Sequence, residues 1–450
     1  MAGVVLLVPG CRAGDPVSDR PGPGLPSGSP AWARTLPGFV YRTLAAAAAG
    51  TARLVLRVSP DRAARRDLAE RLAFAETLEG LPHGAIWAHA ASMGEVRALA
   101  SLARAMAEAG EKRPLLVTTQ SATGRRLARE LGYASRLAPA DHPAVLEPFL
   151  GALAPPLHLV VETEIWPWRL SLLRRRGVPT AIVSARLSPR NWPRYRRLRA
   201  LYGAALAEAT LVCPASESDR LRFAALGLPE ASCGPVGNLK WDAAPPPPEP
   251  LAAEALRSEL GLDPALRWVV LGSCHPGEAA PFAPLAAGPE RAALLVAPRH
   301  PERFQELATE LERAGLVVHR ASRGSAPAGT RAVLLDRMGV LPRAYPLAAA
   351  AALGGTFAPV GGHSPLEAAA AGCPLVSGPH DHAQADLVEP LAAAGALVRC
   401  ASPASALSQL RAWLGDPAAR LAAGEAARRE VESHRGVARQ LAEAVRGLGA

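Results

Sequence analysis

Cysteine, lysine, asparagine and aromatic residues are all scarce in this 450-residue chain. The six cysteines (Cys11, Cys213, Cys233, Cys274, Cys373 and Cys400) are scattered with no C-x-x-C pair. That argues against a disulfide framework and a zinc knuckle, and fits a reducing cytoplasm. Phe, Trp and Tyr make up only 4% of the residues and no recognised nucleic-acid motif occurs, so nucleic acid is not the expected partner despite a net charge of +10. There is no G-x-G-x-x-G fingerprint, and no cofactor is expected. The apolar stretch between Arg42 and Arg53 is too short to span a bilayer. Val8-Pro9-Gly10-Cys11 is a loose match to a lipoprotein box, but no basic residue precedes the apolar run Val4 to Val8, so no cleavable signal is read there.

What is present describes a folded soluble body: 49% hydrophobic and 20% charged residues over a length that favours two domains. Residues 1–37, rich in Gly, Pro and Ser, read as a disordered extension. Residues 38–57 read as an amphipathic helix, with Arg42, Arg53 and Arg57 on one face and Val40, Leu44, Leu54 and Val55 on the other. Such a helix either lies in a membrane interface or docks on its own domain. From residue 84, apolar runs at Ala85 to His89, Leu115 to Thr119, Leu157 to Val161 and Thr180 to Ser184 alternate with helical patterns. A proline-rich spacer, 243–250, interrupts the rhythm. It resumes with Trp268 to Gly272, Ala293 to Ala297, Leu316 to His319, Ala332 to Leu335 and Pro374 to Ser377. Parallel α/β structure follows, as two Rossmann-like domains (58–242 and 251–450) with an interdomain cleft at the carboxyl ends of the strands.

Several loops carry residues suited to chemistry. Ser92 and Glu95 have capping-box spacing at a strand-to-helix turn, where Glu95 is either a cap or a general base. Glu162 and Glu164, two apart at a strand end, are expected on one side of it, where their repulsion raises one pKa. Arg169 to Arg199 holds ten arginines and no acid, which implies an anionic partner such as a phosphorylated lipid or membrane surface, or a solvated face. Lysine occurs only at Lys112 and Lys240, and asparagine only at Asn191 and Asn238, so Gly237-Asn238-Leu239-Lys240 concentrates rare residue types. Arg299, at a strand's carboxyl end, can clasp a phosphate. Gly361-Gly362-His363-Ser364-Pro365-Leu366-Glu367 reads as a glycine loop entering a helix capped by Ser364, with Pro365 first and Glu367 completing a capping box, open to an anion. His363, His380, Asp381 and His382 have no diagnostic ligand spacing, and no metal is expected.

Taken in order, these segments resemble the bacterial 3-deoxy-D-manno-octulosonic acid (Kdo) transferases, glycosyltransferases of GT-B fold. The resemblance runs over residues 84–382 and rests on Ala88-His89-Ala90-Ala91-Ser92-Met93-Gly94-Glu95, Thr118 to Gly124, Glu162-Thr163-Glu164-Ile165-Trp166-Pro167, Ser184 to Ser188, Gly237 to Lys240, Gly272 to Glu278, Pro298-Arg299 and Gly354 to His380. It implies inverting transfer of Kdo from CMP-Kdo to a lipid A precursor in lipopolysaccharide synthesis, at the cytoplasmic side of the inner membrane, with an N-terminal membrane-associating segment. It implies catalytic roles for Glu95 as base and for Glu162, Glu164 and Lys240. Substrate contacts are implied for Ser92, Gly94, Arg186, Ser273, His275, Pro298, Arg299, Met338, Gly339, Gly362, His363, Ser364, Pro365, Leu366 and Glu367. The family has Met-Gly-Glu where this chain has Met338-Gly339-Val340, and Asn at Ser364. The alternatives are another GT-B transferase or epimerase with a uridine donor, or a non-catalytic arginine-rich protein that binds membranes or nucleic acid.

Overall fold

The computed structural model describes residues 30–58, 60–246, 250–289 and 291–449. They form two compact units, Met1–Asn238 with Leu441–Ala450, and Leu239–Gln440. The prolines at 247 and 248 and Glu249 of the expected spacer lie outside the described residues. Trp241 and Ala244, just before them, pack in the second unit's core.

The first unit holds a six-stranded parallel sheet: β1 Ile86–His89, β2 Leu115–Thr119, β3 Ala134–Leu137, β4 His158–Val161, β5 Thr180–Ala185 and β6 Leu211–Pro214, in the order β3-β2-β1-β4-β5-β6. All residues of β1 and β4 are buried, as parallel strands covered on both faces require. The chain winds outward from β1 through β2 to β3 and then returns to start β4 on β1's other side. A topological switch point therefore falls between β1 and β4, with His89 level with Val160. This register brings the segments that follow His89 and Val161 side by side.

The second unit repeats the logic with seven parallel strands: β7 Arg267–Cys274, β8 Ala292–Pro298, β9 Val318–Arg320, β10 Ala332–Leu334, β11 Ala348–Leu353, β12 Leu375–Ser377 and β13 Leu397–Arg399, in the order β13-β12-β11-β7-β8-β10-β9. Leu353 is level with Gly272, so the loops after β7 and β11 emerge together at the switch point.

One expectation changes, and one is met. Residues 1–29 lie outside the described residues, but the stretch up to residue 37 is not structureless throughout. A short 3-10 helix, Ala31–Arg34, buries Trp32 completely, and its Nε1–H donates to Ser171 Oγ at 2.7 Å. One large apolar side chain with a matched donor overrides the local Gly and Pro content. The amphipathic helix runs Leu36–Val58. It rests on the first unit through Tyr41 and Ala52, while Leu36, Phe39, Val40, Leu44, Leu54 and Val55 stay exposed. Among the described residues no helix is long and apolar enough to cross a membrane.

Candidate active site

In the first unit the turn from β1 into the helix Met93–Glu108 is built by Ser92 and Glu95. Ser92 Oγ accepts from Glu95 N–H at 3.4 Å. Glu95 Oε1 accepts from Ser92 Oγ at 2.8 Å and its Oε2 from Ala91 N–H at 2.6 Å. The carboxylate is thus both a cap and an inward-held acid. Burial, reinforced by the charge of Glu162, pushes it up to about 7. Gly94, exposed beside it, carries no side chain between this carboxylate and solvent.

Glu162 and Glu164 do not share a strand face. β4 ends at Val161, and Glu162 sits in the left-handed region at φ 63°, so the pleat that would align the two carboxylates is already broken. Glu164 turns toward β1 instead, where its Oε2 meets His89 Nε2 at 2.6 Å, Trp166 Nε1 at 2.7 Å and Gln120 Nε2 at 3.3 Å. Burial opposes ionisation of Glu164, but the hydrogen bonds from His89 and Trp166 and the charge of Arg169 hold the carboxyl below its ordinary range. The acid that is raised is Glu95, outside the expected pair.

His89 is fully buried, and burial first, then Arg169, lowers its pKa. An ionised carboxylate only accepts, so neutral His89 must carry its proton on Nε2 and accept at Nδ1 from the Thr118 hydroxyl, 3.0 Å away. Thr118 Oγ1 in turn accepts from Trp87 Nε1 at 2.8 Å. Arg71 closes the other side with two hydrogen bonds to Gln120, at 2.9 and 2.6 Å. None of these supporting side chains was assigned a role from sequence. The available signal was a histidine at a strand's carboxyl end three residues before a capping serine. Arg186 follows β5, where its N–H donates to Thr163 Oγ1 at 2.6 Å and braces the loop between the two glutamates.

Lys240 is in the second unit, half-buried, with Nζ 4.0 Å from Asp386 Oδ2. The other residues of this unit's site gather at the carboxyl ends of β7, β8 and β11. Ser273 sits at φ 57° where β7 slips register against β8, and a Cβ on Gly354 would fall 2.2 Å from its carbonyl oxygen, so the two loops touch backbone to backbone. His275 Nε2 lies 2.9 Å from His363 Nε2, with the rings stacked at 6°. Burial, then Arg299, brings His363 down to about 4, and burial also lowers His275. Pro298 ends β8 and Arg299 beside it is exposed. Sequence reasoning gave Glu278 no role, yet its buried carboxylate clamps both loops. It accepts from His275 and Gly355 N–H at 2.8 Å each and from Phe357 and Ala358 N–H at 2.9 Å each. Glu310 holds Gly277, Ala279 and Ala280 N–H in the same way.

The expected capping box after the glycine loop does not form. Gly362, at φ 86°, donates its N–H to Gly355 O at 2.8 Å, and the helix is Leu366–Ala370 with Pro365 before it. Ser364 Oγ accepts only from Leu366 N–H, at 3.4 Å, because Pro365 has no N–H and already has helical angles. Glu367 is then the helix's second residue. Met338 is exposed and Gly339 has φ 79° in the loop after β10, while Val340 is buried in the core, where a carboxylate would be costly without hydrogen-bond partners of its own. His363 belongs with His275, and Asp381 is bound by Arg399 at 2.8 Å. Among the described residues no group of three or more His, Cys, Asp or Glu could hold a metal.

The family model for 3-deoxy-D-manno-octulosonic-acid transferase (kdotransferase) matches residues 66–243. The chain is 35% identical over 378 residues to the Kdo transferase of Bordetella pertussis, spanning 80% of this chain and 86% of the relative. It belongs to the Kdo transferase family. The Kdo transferase of Haemophilus influenzae is 30% identical over 387 residues, covering 84% and 90% of the two chains. Among solved structures, Anabaena HepE in complex with UDP superposes with a TM-score of 0.56 at 15% identity, over 80% of this chain and 99% of that one, which shows the fold alone. The fold is GT-B, with two Rossmann-like domains, and the protein is a glycosyltransferase.

Proposed function

We propose that the protein transfers Kdo from CMP-Kdo to a hydroxyl of a lipid A precursor, with inversion, at the cytoplasmic side of the inner membrane in lipopolysaccharide synthesis. The observation that carries this reading is Glu95, a carboxylate at the switch point of the first sheet that is pushed up to about 7. In the reaction the acceptor oxygen forms a bond to the anomeric carbon as the bond from that carbon to the phosphate oxygen breaks. The electron pair leaves with CMP, and the acceptor's proton passes to Glu95. A base that titrates near neutrality is ionised often enough to take the proton and basic enough to hold it. Glu164, kept ionised, and Glu162 favour the positive character that grows on the sugar.

The second unit holds the donor in this reading. Arg299 offers a fork of donors to the phosphate, His275 and His363 are neutral polar contacts, and the Glu278 clamp keeps the loops at one spacing. The cytidine ring meets the Met338-Gly339 loop without a carboxylate, since Val340 is in the core. The acceptor's phosphates suit the exposed arginines of the Arg186 to Arg199 stretch, and the exposed apolar face of Leu36–Val58 suits a membrane interface.

The deciding experiment is incubation with freshly made CMP-Kdo and a lipid A precursor, followed by mass analysis of the lipid. A mass increase of one or more Kdo units is expected. No product, together with tighter binding of UMP than of CMP, would overturn the donor assignment in favour of a uridine nucleotide.

A further inference from the structure

Arg169 is among the largest fully buried side chains of the first unit, 1% exposed, yet its Nε, Nη1 and Nη2 have no hydrogen-bond partner. A guanidinium withdrawn from water with its donors unmatched is costly unless something else holds the charge. Two indoles do so here. The guanidinium carbon lies 5.0 Å from the Trp87 ring centroid and 5.6 Å from that of Trp166. The far ends of these same indoles are the hydrogen-bond supports of the catalytic face. Trp166 Nε1 donates to Glu164, and Trp87 Nε1 donates to the Thr118 hydroxyl that faces His89. The Arg169 backbone is fixed as well, since its N–H donates to Asp141 Oδ1 at 2.7 Å and the neighbouring Trp168 N–H to Asp141 Oδ2 at 3.0 Å.

We infer that Arg169 is a positioning residue for the transfer reaction: clamped between Trp87 and Trp166, it keeps the Trp166 indole on Glu164 and supplies the buried positive charge faced by Asp141 and Glu164. The inference rests on the reading that the Glu95 and Glu164 face is where the sugar is transferred. Lysine would not substitute fully, because a planar, permanently charged group stacks on two rings where a compact ammonium does not.

The charged and titratable neighbours define what removal of Arg169 does. Glu164 is faced by His89, Arg71, Glu95 and Tyr195 as well as Arg169, and His89 by Glu164, His158 and Arg169. Asp141 is faced by Tyr41, His142 and Arg169. Loss of the cation leaves a carboxylate that protonates more readily and a histidine that does the same. A role confined to packing would leave both unchanged.

The test uses the full chain as Arg169→Met, which keeps the stem but not the charge, and as Arg169→Lys, which keeps the charge but not the fork. Nitrogen-15 spectra of the histidine rings, with His89 assigned by its loss in His89→Gln, report the ring directly. The wild-type ring is expected to stay neutral with its proton on Nε2 from about pH 6 to 8, and to begin titrating in that window in Arg169→Met. With CMP-Kdo, kcat is expected to fall about 10-fold or more, with KM within about 2-fold and the acid limb of the kcat profile moved to higher pH. Arg169→Lys should restore the neutral ring while kcat stays below wild type. A wild-type His89 titration in Arg169→Met, or a kcat loss with an unmoved pH profile, overturns the inference. Should Arg169→Met fail to fold, Arg169→Lys decides, since a wild-type kcat or a titrating His89 in it is equally fatal. The ring signal needs no turnover, so absence of Kdo transfer by the wild type would count against the proposed function and leave the Arg169 test standing.

Discussion

Glu95 serves two demands with one side chain, because the hydrogen bonds that cap a helix also hold a carboxylate where burial and Glu162 raise its pKa. Glu95→Gln keeps the size and the acceptor for Ala91 N–H but cannot take a proton. Turnover is expected to fall about 10² to 10⁴-fold with CMP affinity unchanged, and a rate within a few fold of wild type would reject Glu95 as the base. The wild-type rate should rise with pH through about 7. The stability consequence has the opposite sign to an ordinary paired carboxylate. With a folded pKa above the unfolded value, the fold disfavours the ionised form, so the penalty is present above about 7 and gone below the unfolded value of 4.5. Melting of Glu95→Gln is therefore expected at a higher temperature than wild type at pH 8, with the gap closing by pH 5. Arg299→Ala, at an exposed position, should weaken CMP binding by about 1.5 to 3 kcal/mol with the fold intact, and unchanged affinity would remove Arg299 from the phosphate site. The sequence made Glu95, Glu164, Arg299 and His363 visible because each sits in a short segment of unusual composition. His89 and Glu278 stayed hidden because what defines them is distant in the chain: Glu164 lies 75 residues from His89, and Glu278 reaches N–H groups 77 to 80 residues away.

Strands that were apolar and β-branched, such as β2 and β8, were legible; those whose composition contradicts their place were not. β11 is Ala-Ala-Ala-Ala-Ala-Leu, a run with strong helical preference that is held extended because β7 and β12 pair with it on either side. β3 and β13 are three or four residues long and carry an arginine each, too short for periodicity to register. The short helix after the glycine loop began later than its capping pattern indicated, since two glycines at positive φ and a proline set the chain's direction before Ser364 could cap it. What fixes the loops at this switch point is the Glu278 carboxylate. Glu278→Gln places an amide nitrogen against backbone N–H donors in a buried site, and about 3 kcal/mol or more of stability should be lost in denaturant titration, together with CMP binding. A near-wild-type midpoint would mean that the loops hold their spacing without the clamp.

At the scale of the molecule, the two parallel sheets follow from the alternation of runs along the chain, whereas the N-terminal region combines order and exposure in a way composition concealed. Trp32 is buried and Tyr41 bonds Asp141 at 2.5 Å, so deleting residues 1–57 would damage the first unit's core while removing the helix. Point changes on the exposed face separate the two. Phe39, Val40 and Leu44 are exposed, so replacing all three with serine should leave melting unchanged while apolar insertion into a membrane surface is lost. The basic contribution is distinct: Arg194, Arg196 and Arg197 are exposed on the helix Trp192–Arg197, and each arginine near an anionic surface is worth about 1 kcal/mol, screened within a Debye length of about 8 Å at physiological salt. In co-sedimentation with phosphatidylglycerol-containing vesicles, wild-type binding should weaken with salt but persist at high salt. The serine variant should bind only at low salt, and a variant with glutamine at the three arginines should lose most of the salt dependence while retaining the residual. Vesicle binding by the serine variant that equals wild type at high salt would place the membrane contact elsewhere than on the Leu36–Val58 helix.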